Sequence, residues 1–181
     1  MLKIRKAKMG ELDSIMKIYE RARRFMAQTG NPNQWGDSKP YREWIEHDIE
    51  AGKCYVCMEQ TMYEKLTYSI SEENDAMIKE TIAAVFYFDI EKDPTYDIIY
   101  NGHWLNNLSY GVVHRIASAG CTKGAGEYCL KWAIEQSGNL RIDTHEENVI
   151  MQNLLKKIGF QHCGTIHLEN GEPRLAFQYE R

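Results

Sequence analysis

The sequence lacks any apolar run near the roughly 18 residues that a membrane-crossing helix needs, so no membrane span is expected. Its opening, "MLKIRKAKMGELDS", has neither the apolar centre nor the small-residue cleavage site of a secretory leader. Positive charge is not in excess. Against 26 Asp and Glu stand 22 Lys and Arg, a formal net charge of −4, which argues against a nucleic-acid partner. The basic cluster "RARR", Arg21 to Arg24, is too short to reverse that balance. It reads as the solvated face of a helix, with a phosphate-facing role as the alternative. Cysteine is scarce and odd in number, five in all, without the spacing of a secreted disulfide framework. Cys54 and Cys57 form C-x-x-C, but they lie in "KCYVCME", which reads as a strand, where residues three apart point to opposite faces. A zinc site would need a second pair, and none is present, so no metal is expected. The thiols read as core or half-buried residues of a cytoplasmic protein.

What is present is enough for one folded unit. The 181 residues, 43% hydrophobic, fit a single domain over 1–181. "MLKIRKA" suggests an edge strand, and Leu12, Ile15, Met16, Tyr19 and Met26 recur at helical spacing until Gly30. A second helix is expected from Tyr41 to Ala51, then the strand "KCYVCME". Residues 60–79 have no clear period, and their polar "SEEND" suggests an insertion or extended hairpin. Strands follow at "TIAAVFYFDI" and "YGVVHRIAS", the helix "GEYCLKWAIEQ", and the strand "NLRIDTH". Met151, Leu154, Leu155 and Ile158 form one helical stripe, with Asn148 as N-cap and Gly159 at the end. Two strands close the chain around the turn "ENGEP". The order β-α-α-β-β-β-α-β-α-β-β predicts an α+β fold around one mixed, mostly antiparallel sheet, flanked by helices on both faces.

Between "HRIAS" and "GEYCLKWA" lie Lys123, Gly124 and Gly126. A helix start offers unpaired N–H donors and partial positive charge, and glycine lets a phosphate come close. The alternative is a plain strand-to-helix turn. A Rossmann site fits less well, because the full G-x-G-x-x-G and the βαβ series are missing.

With "RIDTHEENVIMQNLLKKIGF" following, this region resembles the GNAT superfamily of acyl-CoA-dependent N-acyltransferases, most specifically from Tyr110 to Phe160. Members carry a pyrophosphate loop, Arg/Gln-x-x-Gly-x-Gly/Ala, and an Asn before a helix ending in Lys-x-Gly-Phe. In one register Lys123 and Gly126 match the loop and the bulky Tyr128 takes its last place; in the other Cys121, Gly124 and Gly126 match. The resemblance implies acetyl-CoA as the acyl donor. Lys123, Gly124, Ala125, Gly126 and Glu127 would hold its pyrophosphate, Ile116, Ala117 and Ser118 its pantetheine arm, and Asn148 its thiol end.

The family's usual proton donor, a Tyr, falls here on Leu155, and its glutamate base falls on Val112. His114, two residues on and therefore on the same strand face, is the first choice of base, and His145 the second. The resemblance places the acceptor pocket at "GNPNQWG" and "IIYNGHWLNN", where Gln34, Trp35, Tyr100, His103 and Trp104 could hold a cationic amine; the Trp residues capping the core is the alternative. The expected function is transfer of an acetyl group to a primary amine of a small acceptor. A catalytically silent acyl-CoA sensor is the alternative, and a homodimer is the family habit.

Overall fold

The computed structural model describes residues 1–63 and 77–181. Its elements are β1 (Leu2–Lys6), α1 (Leu12–Gln28), α2 (Arg42–Glu50), β2 (Cys54–Tyr63), β3 (Met77–Asp89), β4 (Gly111–Ser118), α3 (Ala125–Ser137), β5 (Asn139–Thr144), α4 (Val149–Ile158), β6 (Gln161–His167) and β7 (Pro173–Glu180). This is the order the sequence predicts. The strands β2 and β3 run further than their apolar cores and pair antiparallel out to Tyr63 and Met77, so both ends of the segment 60–79 lie in the sheet. Its middle, 64–76, lies outside the described residues.

One seven-stranded sheet has the order β1-β2-β3-β4-β5-β7-β6. Every pairing is antiparallel except β4 with β5, and that parallel pairing involves only Gly111–Leu140 and Val112–Arg141. Beyond Val112 the two central strands part.

The alternating strands feed a core on each face. On one, α3 and α4 cover Phe86, Phe88, Val113 and Ile142. On the other, α1 and α2 cover Val56, Val85 and Ala117, while the 90–110 passage covers Tyr87, Val112, Ile166 and Ala176. Cys54 belongs to the second face and Cys57 to the first, as strand alternation requires of residues three apart. The helix ends follow their sequence signals. Asn148 accepts from Met151 N–H at 3.1 Å, and Gly138 and Gly159 close α3 and α4 with left-handed backbones.

Candidate active site

The parting of β4 from β5 is built into β4 itself. The register with β3 slips between Val85 and Tyr87, and opposite that slip Arg115 has φ of 51°, unusual for a residue with a side chain. Three contacts hold the bulge. Tyr19 Oη donates to the Arg115 carbonyl at 2.9 Å, the guanidinium donates to Asp48 Oδ2 at 2.7 and 3.1 Å, and it stacks on the Tyr87 ring. Burial pushes the Asp48 carboxyl up against the opposing pull of Arg115.

A cleft of 740 Å³ follows from this geometry. It is lined from the α1–α2 face by Trp35, Asp48 and His114, and from the α3–α4 face by Val113, Ile142 and Met151. It therefore passes through the sheet at the gap between β4 and β5. Inside that gap the Thr144 hydroxyl is buried without a partner among the described residues.

His114 sits at the centre. Its Nε2 lies 2.6 Å from Asp93 Oδ2, and its Nδ1 lies 3.8 Å from Asp143 Oδ1. Asp93 is fixed by accepting from Thr95 N–H and Oγ1 at 2.8 and 2.6 Å. Burial raises its carboxyl, but His114 and Thr95 outweigh that and hold it at about 2. An ionised Asp93 can only accept, so Nε2 carries a proton, and Nδ1 faces Asp143. Asp143 accepts from Tyr96 Oη at 2.8 Å, while burial and that carboxylate hold the phenol protonated, well above its usual range.

At the loop after β4, the first bond of α3 runs from Tyr128 N–H to the Gly124 carbonyl, leaving the amides from Gly124 to Glu127 ahead of the ladder. Space above Gly124 is open, and a Cβ on Gly126 would meet only Leu154 at 3.8 Å. Tyr128 turns aside to donate its hydroxyl to the Leu2 carbonyl. Lys123 is exposed, Ala125 packs inward, and Glu127 is paired with Lys131 and Lys157. Glycines and bare amides beside a strand without a full partner fit the pyrophosphate and amides of an acyl-CoA.

Of the remaining residues singled out in the sequence, Ile116, Gln34 and Asn148 line the cleft, where Gln34 Oε1 accepts from Asn148 Nδ2 at 2.8 Å. Ala117 packs against α1 and α2, and the Ser118 hydroxyl accepts from Gly120 N–H. His145 lies outside the cleft, its Nδ1 accepting from Glu147 N–H at 3.2 Å in the turn after β5. Tyr100 is bridged to Thr165, with its ring against His167, and Trp104 packs on Tyr96, so neither lines the cleft. His103 is exposed and also outside it. Asp93, Tyr96, Asp48 and Arg115 carry the geometry, and no motif announces them. Arg21 of the "RARR" cluster does reach the loop: it packs over Gly120 and donates to the Ser118 carbonyl at 3.3 Å. Among the described residues no group of three side chains could hold a metal ion, and no helix is long and apolar enough to cross a membrane.

A sheet opened at one parallel pair, with a glycine-lined helix start beside the opening, defines an acyl-CoA-dependent transferase. No family model and no curated protein matches the chain. Among solved structures, a GNAT-family acetyltransferase from Streptococcus agalactiae is 34% identical over 99% of this chain and 95% of its own, with a TM-score of 0.79. The chain belongs to the GNAT family of acetyltransferases. The fold is shared with a GNAT-family acetyltransferase of Listeria monocytogenes, at 16% identity over 99% of this chain and 95% of that one, TM-score 0.64. It is shared too with yncA of Salmonella typhimurium, solved with acetyl-CoA as its cofactor, at 14% identity over 99% and 93%, TM-score 0.56.

Proposed function

We propose that this acetyl-CoA-dependent acetyltransferase acetylates the primary amine of a small cationic acceptor, with His114 as the general base and Asp93 as the residue that positions it. The observation that carries the reading is the 2.6 Å contact between His114 Nε2 and Asp93 in a cleft open to both faces of the sheet. Acetyl-CoA supplies the activated acyl group from the α3–α4 side, held by the amides of Gly124 to Glu127, with Lys123 and Arg21 adding positive charge. The acceptor enters from the α1–α2 side. Most charges there are neutralised in pairs, Arg115 with Asp48 and Lys53 with Asp89 and Glu91. Asp143, by contrast, is bonded to a neutral phenol, so a cationic amine finds an anion beside the open Nδ1 of His114.

In this reading Nδ1 removes the ammonium proton, and the imidazolium that forms lies between Asp93 and Asp143. Trp35 and Trp44 supply aromatic faces for the rest of the acceptor. The neutral amine then attacks the thioester carbonyl and the C–S bond breaks. Leu155, in the place of the family's usual acid, is wholly buried and has no proton to give. The leaving thiolate therefore takes up the second proton shed by the amine nitrogen, directly or through water.

The test is steady-state acetylation of a panel of small amines by wild type and His114→Gln, beside calorimetry with acetyl-CoA. The variant is expected to lose about 100-fold in kcat/KM with acetyl-CoA affinity within twofold of wild type. Unchanged turnover would remove His114 as base. Binding without turnover of any amine by wild type would favour the silent sensor.

A further inference from the structure

A second cavity, of 460 Å³, lies on the far side of the Tyr96 wall, between Ile90, Trp104, Leu108, Tyr110 and Arg141. Arg141 lines this cavity, whereas Asp143, two residues on in β5, lines the first cleft. Its guanidinium is sandwiched between the Trp104 and Tyr110 rings, 4.2 and 3.9 Å from their centroids, and donates once, to the Asn106 carbonyl at 2.7 Å. The residue is only 4% exposed, and its Nε has no partner among the described residues. Buried charges are ordinarily paired, because desolvation is costly and an ion pair offsets part of the cost. Here burial lowers the guanidinium's pKa, and none of the ion pairs among the described residues involves Arg141. The two carboxylates that line the cavity are already matched, Glu91 with Lys53 and Asp97 with Lys92.

We propose that this cavity is a binding site for a small organic carboxylate with an apolar or aromatic body. Arg141 meets the carboxylate between its two rings, and the exposed side chains of Ile90 and Leu108 cover the body. The planar guanidinium suits a planar carboxylate, and the sandwich holds it in one orientation. The site requires neither a particular acceptor nor a particular base, although its Tyr96 bonds Asp143, its Glu91 also lines the first cleft and its Tyr110 hydroxyl accepts from Asp93 N–H at 3.2 Å.

Benzoate is the probe, with benzyl alcohol and inorganic phosphate as controls, titrated into the full-length protein. The readout is the indole N–H resonance of Trp104, assigned by its loss in Trp104→Phe; that N–H donates to the Tyr96 carbonyl at 2.9 Å. A saturable shift is expected, with Kd on the order of 1 mM for so small a probe. Affinity is expected to fall at least tenfold in Arg141→Met. It should fall similarly in Leu108→Glu, which places a competing carboxylate at the lip on a side chain 69% exposed and therefore without risk to folding. No saturable shift, equal binding of benzyl alcohol, or benzoate affinity within twofold of wild type in Leu108→Glu would overturn the proposal. Phosphate binding as tightly as benzoate would also overturn it, in favour of a bare anion site.

Discussion

Asp93→Asn tests the site through the carboxyl that is bonded to His114 Nε2. The carboxyl is held at about 2 against an ordinary value of 3.8, a gap worth about 2 kcal/mol at roughly 1.4 kcal/mol per tenfold. The side chain is 15% exposed, so solvent screens little of this. Because the folded carboxyl is depressed, its contribution to stability is complete above about 4 and is lost as the pH falls towards 2. Urea unfolding of wild type and Asp93→Asn should therefore differ by about 2 kcal/mol at pH 6, with the gap closing steadily below pH 4. For activity, an amide cannot fix the proton on Nε2 as an anion does, so Nδ1 is no longer reliably the open nitrogen. We expect kcat/KM for amines to fall roughly 30-fold or more, the kinetic equivalent of about 2 kcal/mol, with acetyl-CoA affinity unchanged. An activity profile identical to wild type across pH 6 to 9, in a variant that shows the stability loss, would refute Asp93 as the residue that positions His114.

Other substitutions probe the rest of the cleft. Gly126→Trp should weaken acetyl-CoA at least tenfold by calorimetry while Gly126→Ala does not, because a Cβ there meets only Leu154 at 3.8 Å. Thr144→Val removes a buried hydroxyl that has no partner among the described residues. It should raise the melting temperature by about 2–4 °C, as for about 1 kcal/mol, and weaken acetyl-CoA if that hydroxyl meets the ligand in the gap. Leu155→Tyr restores the family's usual acid in sequence only. The site is wholly buried, so the larger ring should cost about 1–3 kcal/mol in denaturant unfolding and give no gain in kcat.

The order of elements was legible because each carried a local signal: the β-branched and aromatic run "TIAAVFYFDI", the stripe from Met151 to Ile158, the Asn148 cap and the Gly159 end. The loop after β4 was legible for the same reason, since a helix start and its glycines are neighbours in the chain. The acceptor side was not. Trp104 and Tyr100 stand in an aromatic-rich passage beside the cleft, yet Trp104 spends its ring on Tyr96 and Arg141, and Tyr100 pairs with Thr165. Aromatic density marks a segment that packs; which of its rings faces solvent, core or ligand depends on partners far along the sequence.

Arg115 shows the limit most clearly. In "GVVHRIAS" nothing distinguishes a strand that stays paired from one that bulges, and alternation alone places Arg115 opposite His114. The bulge is chosen by distant groups: Tyr19 on α1 takes the carbonyl, Asp48 on α2 takes the guanidinium, and Tyr87 on β3 lies beneath it. Together they offset a backbone conformation that costs about 1–3 kcal/mol. The bulge directly follows His114 in β4, so the residue proposed as base and the opening between β4 and β5 lie side by side on one strand. Tyr19→Phe isolates it. Losing that hydroxyl should cost about 1 kcal/mol of stability and, by loosening the bulge, lower kcat for amines more than it weakens acetyl-CoA. Equal losses in both would instead mean that the bulge supports the two sides alike and has no particular role towards the amine.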